Sequence, residues 1–336
     1  MSDGASAGTG EGTSGFFDGG FSIHLKLLIV AASWGLAWAA GRELALALPE
    51  AIVSWYRYAI TIPLFFVWLY FKERGSREGK PAIFIPRGDM FWKLAWIAFF
   101  STFLYQLFFM HGMARTAAGD ASILITFNPA FTALLAIPLL HRKLNRNLIF
   151  GLIVGLAGVG IVTGWSPNTD LPMNQRLMGD FLIMCAAACW AVSTNLIKQI
   201  LESDDIEDKP SPIAIVAWAS FLGWILLTPL AAFDLVTFGS AAIPDLRGWL
   251  WIFYLASIST VLAYAWFADG VDKIGATASA TYVYLVPFFG ILSGVLLLNE
   301  SIGWSFLAGF ILILVGVKLS EAVCLWSVTH PLKLRP

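Results

Sequence analysis

Charge is the scarcest property of this sequence. Asp, Glu, Lys and Arg make up 13% of its 336 residues, against 58% hydrophobic types that include 15 Trp and 26 Phe. So much apolar side chain cannot be hidden in one soluble core of ordinary composition. The net charge of −1 comes with no basic patch at nucleic-acid-binding spacing, so no nucleic acid is expected as a partner. Cysteine is scarcer still. Cys185, Cys189 and Cys324 lie in apolar runs with neither disulfide nor metal spacing, where Cys acts as a small hydrophobe. The chain lacks a P-loop, a nucleophile elbow, a metal-ligand cluster and a dinucleotide fingerprint, so we expect no enzyme, metal or cofactor. Its first twenty residues, "MSDGASAGTGEGTSGFFDGG", hold no Lys or Arg. They therefore lack the basic region of a secretory signal, and residues 1–22 are read as a disordered cytoplasmic tail.

What is present is a series of apolar stretches of about 20 residues, the length that crosses roughly 30 Å of hydrocarbon. About ten are found by this rule, from Ile23–Ala45 to Trp304–Trp326, giving an all-α polytopic membrane protein. An even number puts both termini on one side. With the N-terminus inside, the inner loops carry Lys72, Arg74, Arg77, Lys80, Arg87, Lys93, Arg142, Lys143, Arg146, Lys198, Lys209 and Lys273, while Arg42, Arg115, Arg176 and Arg247 remain outside. Positive-inside placement therefore predicts cytoplasmic termini, with residues 327–336 as a C-terminal tail.

The chain also aligns with itself. "STFLYQLFFMHGMARTAAGD" from Ser101 lies over "STVLAYAWFADGVDKIGATA" from Ser259 without a gap. The alignment matches Gly112 with Gly270, Pro129 with Pro287, Gly151 with Gly309 and Gly158 with Gly316. Earlier in each half Trp34 meets Trp190 and Arg42 meets Lys198. This predicts two five-helix units, residues 23–165 and 179–326. Because the unit is odd, the second enters the membrane from the opposite side, an inverted repeat suited to alternating access. Gly151 with Gly155, and Gly290 with Gly294, are small residues four apart that permit close helix approach. We expect them to serve packing within one chain, and hence a monomer.

The mid-helix Trp34 and Trp190, Pro129 and Pro287, the turn "GVLLLNESIG" and the closing "AGFILILVGVKL" resemble the paired EamA repeats of the drug/metabolite transporter superfamily. Within it the aromatic-rich sequence is most similar to bacterial amino-acid exporters of the YddG type. The resemblance implies export of aromatic and other neutral amino acids. One departure is that Glu300, the acidic residue the family shows after its ninth helix, has Arg142 as its repeat partner.

Proline within a helix frees a carbonyl and bends the axis, so Pro129 and Pro287 point to kinks around a midplane binding site. Nearby aromatic and uncharged polar side chains suit a flat or amphipathic neutral solute: Trp34, Trp38, Tyr105, Gln106, Asn128, Trp190, Asn195, Tyr264, Tyr282 and Tyr284. Phosphorylated solutes would want more cations than the one within a span, Arg57. That arginine lies roughly 9 Å along its helix from Ala51. It is read either as an ion-pair or snorkelling anchor, with Glu43, Glu50 or Asp120 as partners, or as a group at the cavity mouth that gates or meets a substrate carboxylate. Asp120, Asp269 and Glu43 fall at span ends, so no central proton relay is expected and passive export is favoured. Efflux of toxic aromatic cations and an integral-membrane enzyme acting on lipid stay open as alternatives.

Overall fold

In the computed structural model of the protein, residues 14–74, 83–140, 146–168, 171–203 and 208–329 are described. Their regular structure is all helix, joined by short connections, with no strand among them. In chain order the helices are α1 (Ser14–Ala47), α2 (Glu50–Glu73), α3 (Asp89–Met113), α4 (Ala118–Leu140) and α5 (Arg146–Gly164). They continue with α6 (Met173–Glu202), α7 (Pro212–Ala242), α8 (Leu246–Ile274), α9 (Ala276–Val283 and Val286–Leu298) and α10 (Trp304–Thr329). Among the described residues, nine of these are long and apolar enough to cross a membrane, and α10 carries a shorter apolar stretch over Trp304–Ser320. Since α1 starts at Ser14, ahead of the expected Ile23, the part of the predicted tail before it lies outside the described residues, as do residues 330–336.

Caps set several boundaries. Ser211 accepts from the Ala214 amide with Pro212 in the first turn of α7, and Asp245 accepts from the Gly248 amide at 2.7 Å to open α8. These are side-chain oxygens satisfying N–H groups that a helix start leaves free. Outward faces are apolar, with Trp96, Phe150, Phe181, Phe233 and Leu296 all exposed. That is what a helix bundle solvated by lipid requires and what water would punish.

The two halves pack through each other. α1 lies against α8 and α9, and its counterpart α6 lies against α3 and α4; α2 pairs with α7, and α5 with α10. Each pairing has its mirror, as a two-fold relation between halves demands. The α5–α10 seam is built from the repeated glycines. A Cβ on Gly151 would sit 2.5 Å from Gly316 O, and one on Gly316 would sit 2.5 Å from Gly151 O. Gly158 and Gly309 meet in the same reciprocal way, at 2.7 and 2.9 Å. Backbones therefore touch where only glycine fits. Gly155 faces Phe127, Gly290 faces Ser122, and Gly294 faces Glu300, all within the chain.

At the prolines the structure differs from a kinked helix. In α4 a 3₁₀ turn over Ile125–Phe127 separates Ala118–Leu124 from Asn128–Leu140, so that Pro129 falls in the first turn of the second piece. In α9, Pro287 likewise opens Val286–Leu298 after a break at Tyr284 and Leu285. Proline at a helix start has no amide to lose there, so the chain breaks the helix before it rather than bending through it.

A second matched feature has no proline to announce it. α3 contains a π-helical turn over Phe99–Leu104 and α8 a longer one over Tyr254–Leu262. The Tyr105 amide reaches back to Phe100 O, and its repeat partner Ala263 reaches back to Ile258 O. Such wide turns displace carbonyls from the regular ladder and expose them to other partners.

The seam gives a test. Gly151→Leu must push α10 off α5, an overpacking cost of about 1–3 kcal/mol or more, and should lower the melting temperature of the purified protein in detergent. Gly160→Leu, where nothing lies within 4 Å, should leave it unchanged.

Candidate functional site

Arg57 sits half-buried in α2, one turn before Thr61. Its Nη2 donates to Thr260 Oγ1 at 2.8 Å, and Thr260 in turn donates to Leu255 O at 2.6 Å within the π turn of α8. Its guanidinium lies 5.9 Å from the centre of the Tyr58 ring, and its charge acts on Tyr105, Tyr254 and Tyr264. The Nε atom is buried and has no hydrogen-bond partner. Among the described residues Arg57 has no ion-pair partner, so of the readings offered by the sequence the ion pair with Glu43, Glu50 or Asp120 is not formed. Glu43 instead takes a two-point contact from Arg247, at 2.5 Å to Nε and 2.8 Å to Nη2. Glu50 pairs with His111 at 3.0 Å and with Arg115 at 3.8 Å.

Aromatic walls flank this arginine in two matched groups. Trp34 on α1 meets Tyr264 and Phe267 on α8, with centroids 5.9 and 5.4 Å apart, and its Nε1 donates to Ser259 O at 2.9 Å. Its counterpart Trp190 on α6 meets Tyr105 on α3 at 5.5 Å. With the Asn128 amide turned so that its nitrogen donates to Ala187 O, its oxygen accepts from Trp190 Nε1 at 3.3 Å. Tyr105 stacks on Phe109, which also touches Trp38. Gln106 is buried and donates to Tyr58 Oη at 3.2 Å. The structure thus gathers Trp34, Trp38, Tyr105, Gln106, Asn128, Trp190 and Tyr264 around the interior of α2, α3 and α8.

Three of the expected residues lie apart from it. Asn195 uses its amide nitrogen to bridge Ala191 O and Thr132 O, both at 3.0 Å, clamping α6 to α4. Tyr282 bonds His24 Nδ1 at 2.6 Å and packs with Leu27, Val30, Phe267 and Val283 on the far side of Trp34, around no cavity large enough to hold a solute. Tyr284 packs against the main core. Conversely, Tyr58, Thr260 and Ser259 were missed as site residues. Thr260 and Ser259 were visible as identities with Thr102 and Ser101 in the self-alignment, but nothing in residue type announces a π turn.

At the opposite end of α1 from Lys26, Glu300 holds the start of α4. Its Oε1 accepts from the Ala118 amide at 2.6 Å and its Oε2 from the Gly119 amide at 2.8 Å. A carboxylate at a helix N-terminus satisfies free amides and meets the positive end of the dipole. Burial pushes the Glu300 carboxyl above its ordinary range, opposed by these two amides and the charge of Arg42. Asp120, expected near an interface, is fully buried one residue further into α4.

Compared with known proteins, the EamA-like transporter family matches the chain twice, over residues 21–164 and 177–320. The chain is 26% identical over 275 residues to the uncharacterized transporter YetK of Bacillus subtilis, covering 82% of this chain and 79% of that one. It is 26% identical to a probable amino-acid metabolite efflux pump of Escherichia coli, covering 62% of this chain and 69% of that one. A protein of that same name in Salmonella typhimurium is 25% identical, over 60% and 67% of the two chains. A protein crystal structure shares the fold with a TM-score of 0.53, at 15% identity and over 88% of this chain.

Glu300→Ala leaves two buried amides without acceptors. It should cost about 1–3 kcal/mol of stability, read as a lower melting temperature, with Glu300→Gln recovering part of the loss.

Proposed function

The chain belongs to the EamA-like transporter family, and on that premise we propose that it exports neutral, aromatic or other hydrophobic amino acids across a bacterial inner membrane. In this reading all ten helices span, both termini are cytoplasmic, and the two inverted halves alternate access to a midplane site. The relatives named as probable amino-acid metabolite efflux pumps support the substrate class.

The observation that carries it is the state of Arg57. One arm is fixed on Thr260, Nε is buried without an acceptor, and aromatic side chains stand on either side. A carboxylate is the group that best fills a guanidinium with donors to spare. The indole and phenol walls accept an apolar side chain, with Tyr58, Gln106 and Asn128 as uncharged hydrogen-bonding groups. The half-helix starts at Asn128 and Val286 add partial positive charge to the same interior. A cationic solute would meet Arg57 as a repulsion, which is why the amino acid is preferred to aromatic-cation efflux.

Counterflow of labelled phenylalanine in proteoliposomes tests this. We expect saturable flux, and Arg57→Met should raise KM about 10–100-fold, the loss of one charge-assisted hydrogen bond of about 1.5–3 kcal/mol. Phenylalanine amide, which lacks the carboxylate, should compete poorly with phenylalanine for the wild-type site and about as well as phenylalanine itself in Arg57→Met. Absence of saturable flux for every neutral amino acid would sink the reading.

A further inference from the structure

Arg57 is held in place by one hydroxyl of another helix. Its Nη2 donates to Thr260 Oγ1 at 2.8 Å, and that oxygen gives its own proton to Leu255 O at 2.6 Å. A hydroxyl has one proton and two lone pairs, so with its proton committed Thr260 presents only an acceptor to α2. The commitment comes from the π turn. The hydroxyls of Thr61, Thr132, Thr194 and Thr228 each donate to the carbonyl four residues back, the usual habit of threonine in a regular helix. Thr260 donates five residues back, to a carbonyl within the wide turn over Tyr254–Leu262. That turn is itself fastened to α1, where Tyr254 Oη donates to Ser33 O at 2.6 Å and Ser259 O accepts from Trp34 Nε1 at 2.9 Å. Thr260 is buried, so its oxygen is a fixed point beside the arginine.

The other half uses the same residue differently. Thr102, the repeat partner of Thr260, has its hydroxyl 3.4 Å from Ser101 Oγ and packs directly on Gly223 of α7, the helix on which Ser220 stands in the place of Arg57. At that π turn the threonine serves helix packing. The contact from hydroxyl to guanidinium belongs to the half that carries the cation.

Arginine has much rotamer freedom to lose, and a side chain ordered before its ligand arrives binds more tightly than one ordered by it. We propose that Thr260 is the positioning residue of the site: its hydroxyl, oriented by the π turn, holds the Arg57 guanidinium in advance, so that the remaining donors, Nε among them, keep one direction toward the carboxylate of the solute. The part played by the solute rests on the reading of Arg57 given above, whereas the ordering of the guanidinium does not.

Two measurements on the full chain test this. In proteoliposomes, Thr260→Val should raise the KM for phenylalanine about 3–10-fold with maximal flux unchanged, the cost of ordering one long side chain on binding. Thr260→Ala, a second variant without the hydroxyl, should do the same, and Thr260→Ser, which keeps it, should recover most of the loss. Added to Arg57→Met, Thr260→Val should change KM no further, because its effect passes through the arginine. Nitrogen NMR of protein labelled at its arginine guanidinium groups, without solute, reads the ordering directly, with the Arg57 signal identified by its loss in Arg57→Met. Rotation of that guanidinium should be restricted in the wild type and in Thr260→Ser and released in Thr260→Val and Thr260→Ala. Equal restriction without the hydroxyl overturns the proposal, as does an unchanged KM, whether or not the melting temperature falls. A lower KM also overturns it, since Thr260 would then compete with the solute for the arginine. Release that depends on the hydroxyl, with no amino-acid flux, supports the positioning and removes the transport reading instead.

Discussion

Every backbone N–H and C=O that leaves a helix inside a membrane must find another partner, and besides the single prolines within helices, Pro63, Pro138 and Pro229, the described residues show four matched places where the regular ladder gives way. Two are the breaks ahead of Pro129 and Pro287; two are the π turns of α3 and α8. All four lie in the third and fourth helices of each half. Those helices pack on the first helix of the other half, so the displaced backbone is buried in protein, away from lipid. The π turn of α8 shows how its carbonyls are used. Ser259 O takes Trp34 from α1, and Leu255 O takes Thr260, which is then free to accept from Arg57. The proposed site is thus a consequence of irregular backbone, and its polar groups are the ones that irregularity had to satisfy.

Symmetry governs the packing but not the chemistry. The reciprocal contacts of Gly151 with Gly316 and of Gly158 with Gly309 show that the α5–α10 seam is built in the same way from both halves. The charged residues break the match: Arg57 aligns with Ser220, Glu300 with Arg142 and Asp120 with Ala278. A symmetric frame with asymmetric charges suits a cycle whose two end states have similar packing energy and differ in what their ends bind.

Much of the frame was legible because it is periodic. The length of the apolar stretches, the self-alignment from Ser101 and Ser259, and the pairing of Trp34 with Trp190 follow from composition and spacing alone. Pro129 and Pro287 marked the right places but suggested bends where the chain breaks, since a sequence does not say on which side of a proline the ladder gives way. Arg57 stood out by type, whereas its partner could not be read. Carboxylates at Glu43 and Glu50 were the obvious choices, yet nearer cations, Arg247 and Arg115, claim them. Asp180, seven residues into α6, was not singled out; its burial, which the sequence does not print, is what sets it apart.

The two ends of the bundle differ in how they are closed. At one, Lys26 and Lys273 meet Asp269 at 2.9 and 3.0 Å with roughly a third or more of each side chain exposed. Such pairs contribute about 0–1 kcal/mol and part easily in water. At the other, Thr116 with Asp180, Arg176 with Asn168 and Glu300 with Ala118 are buried together. Opening that end must hydrate several groups at once, and each is costly to leave half-satisfied.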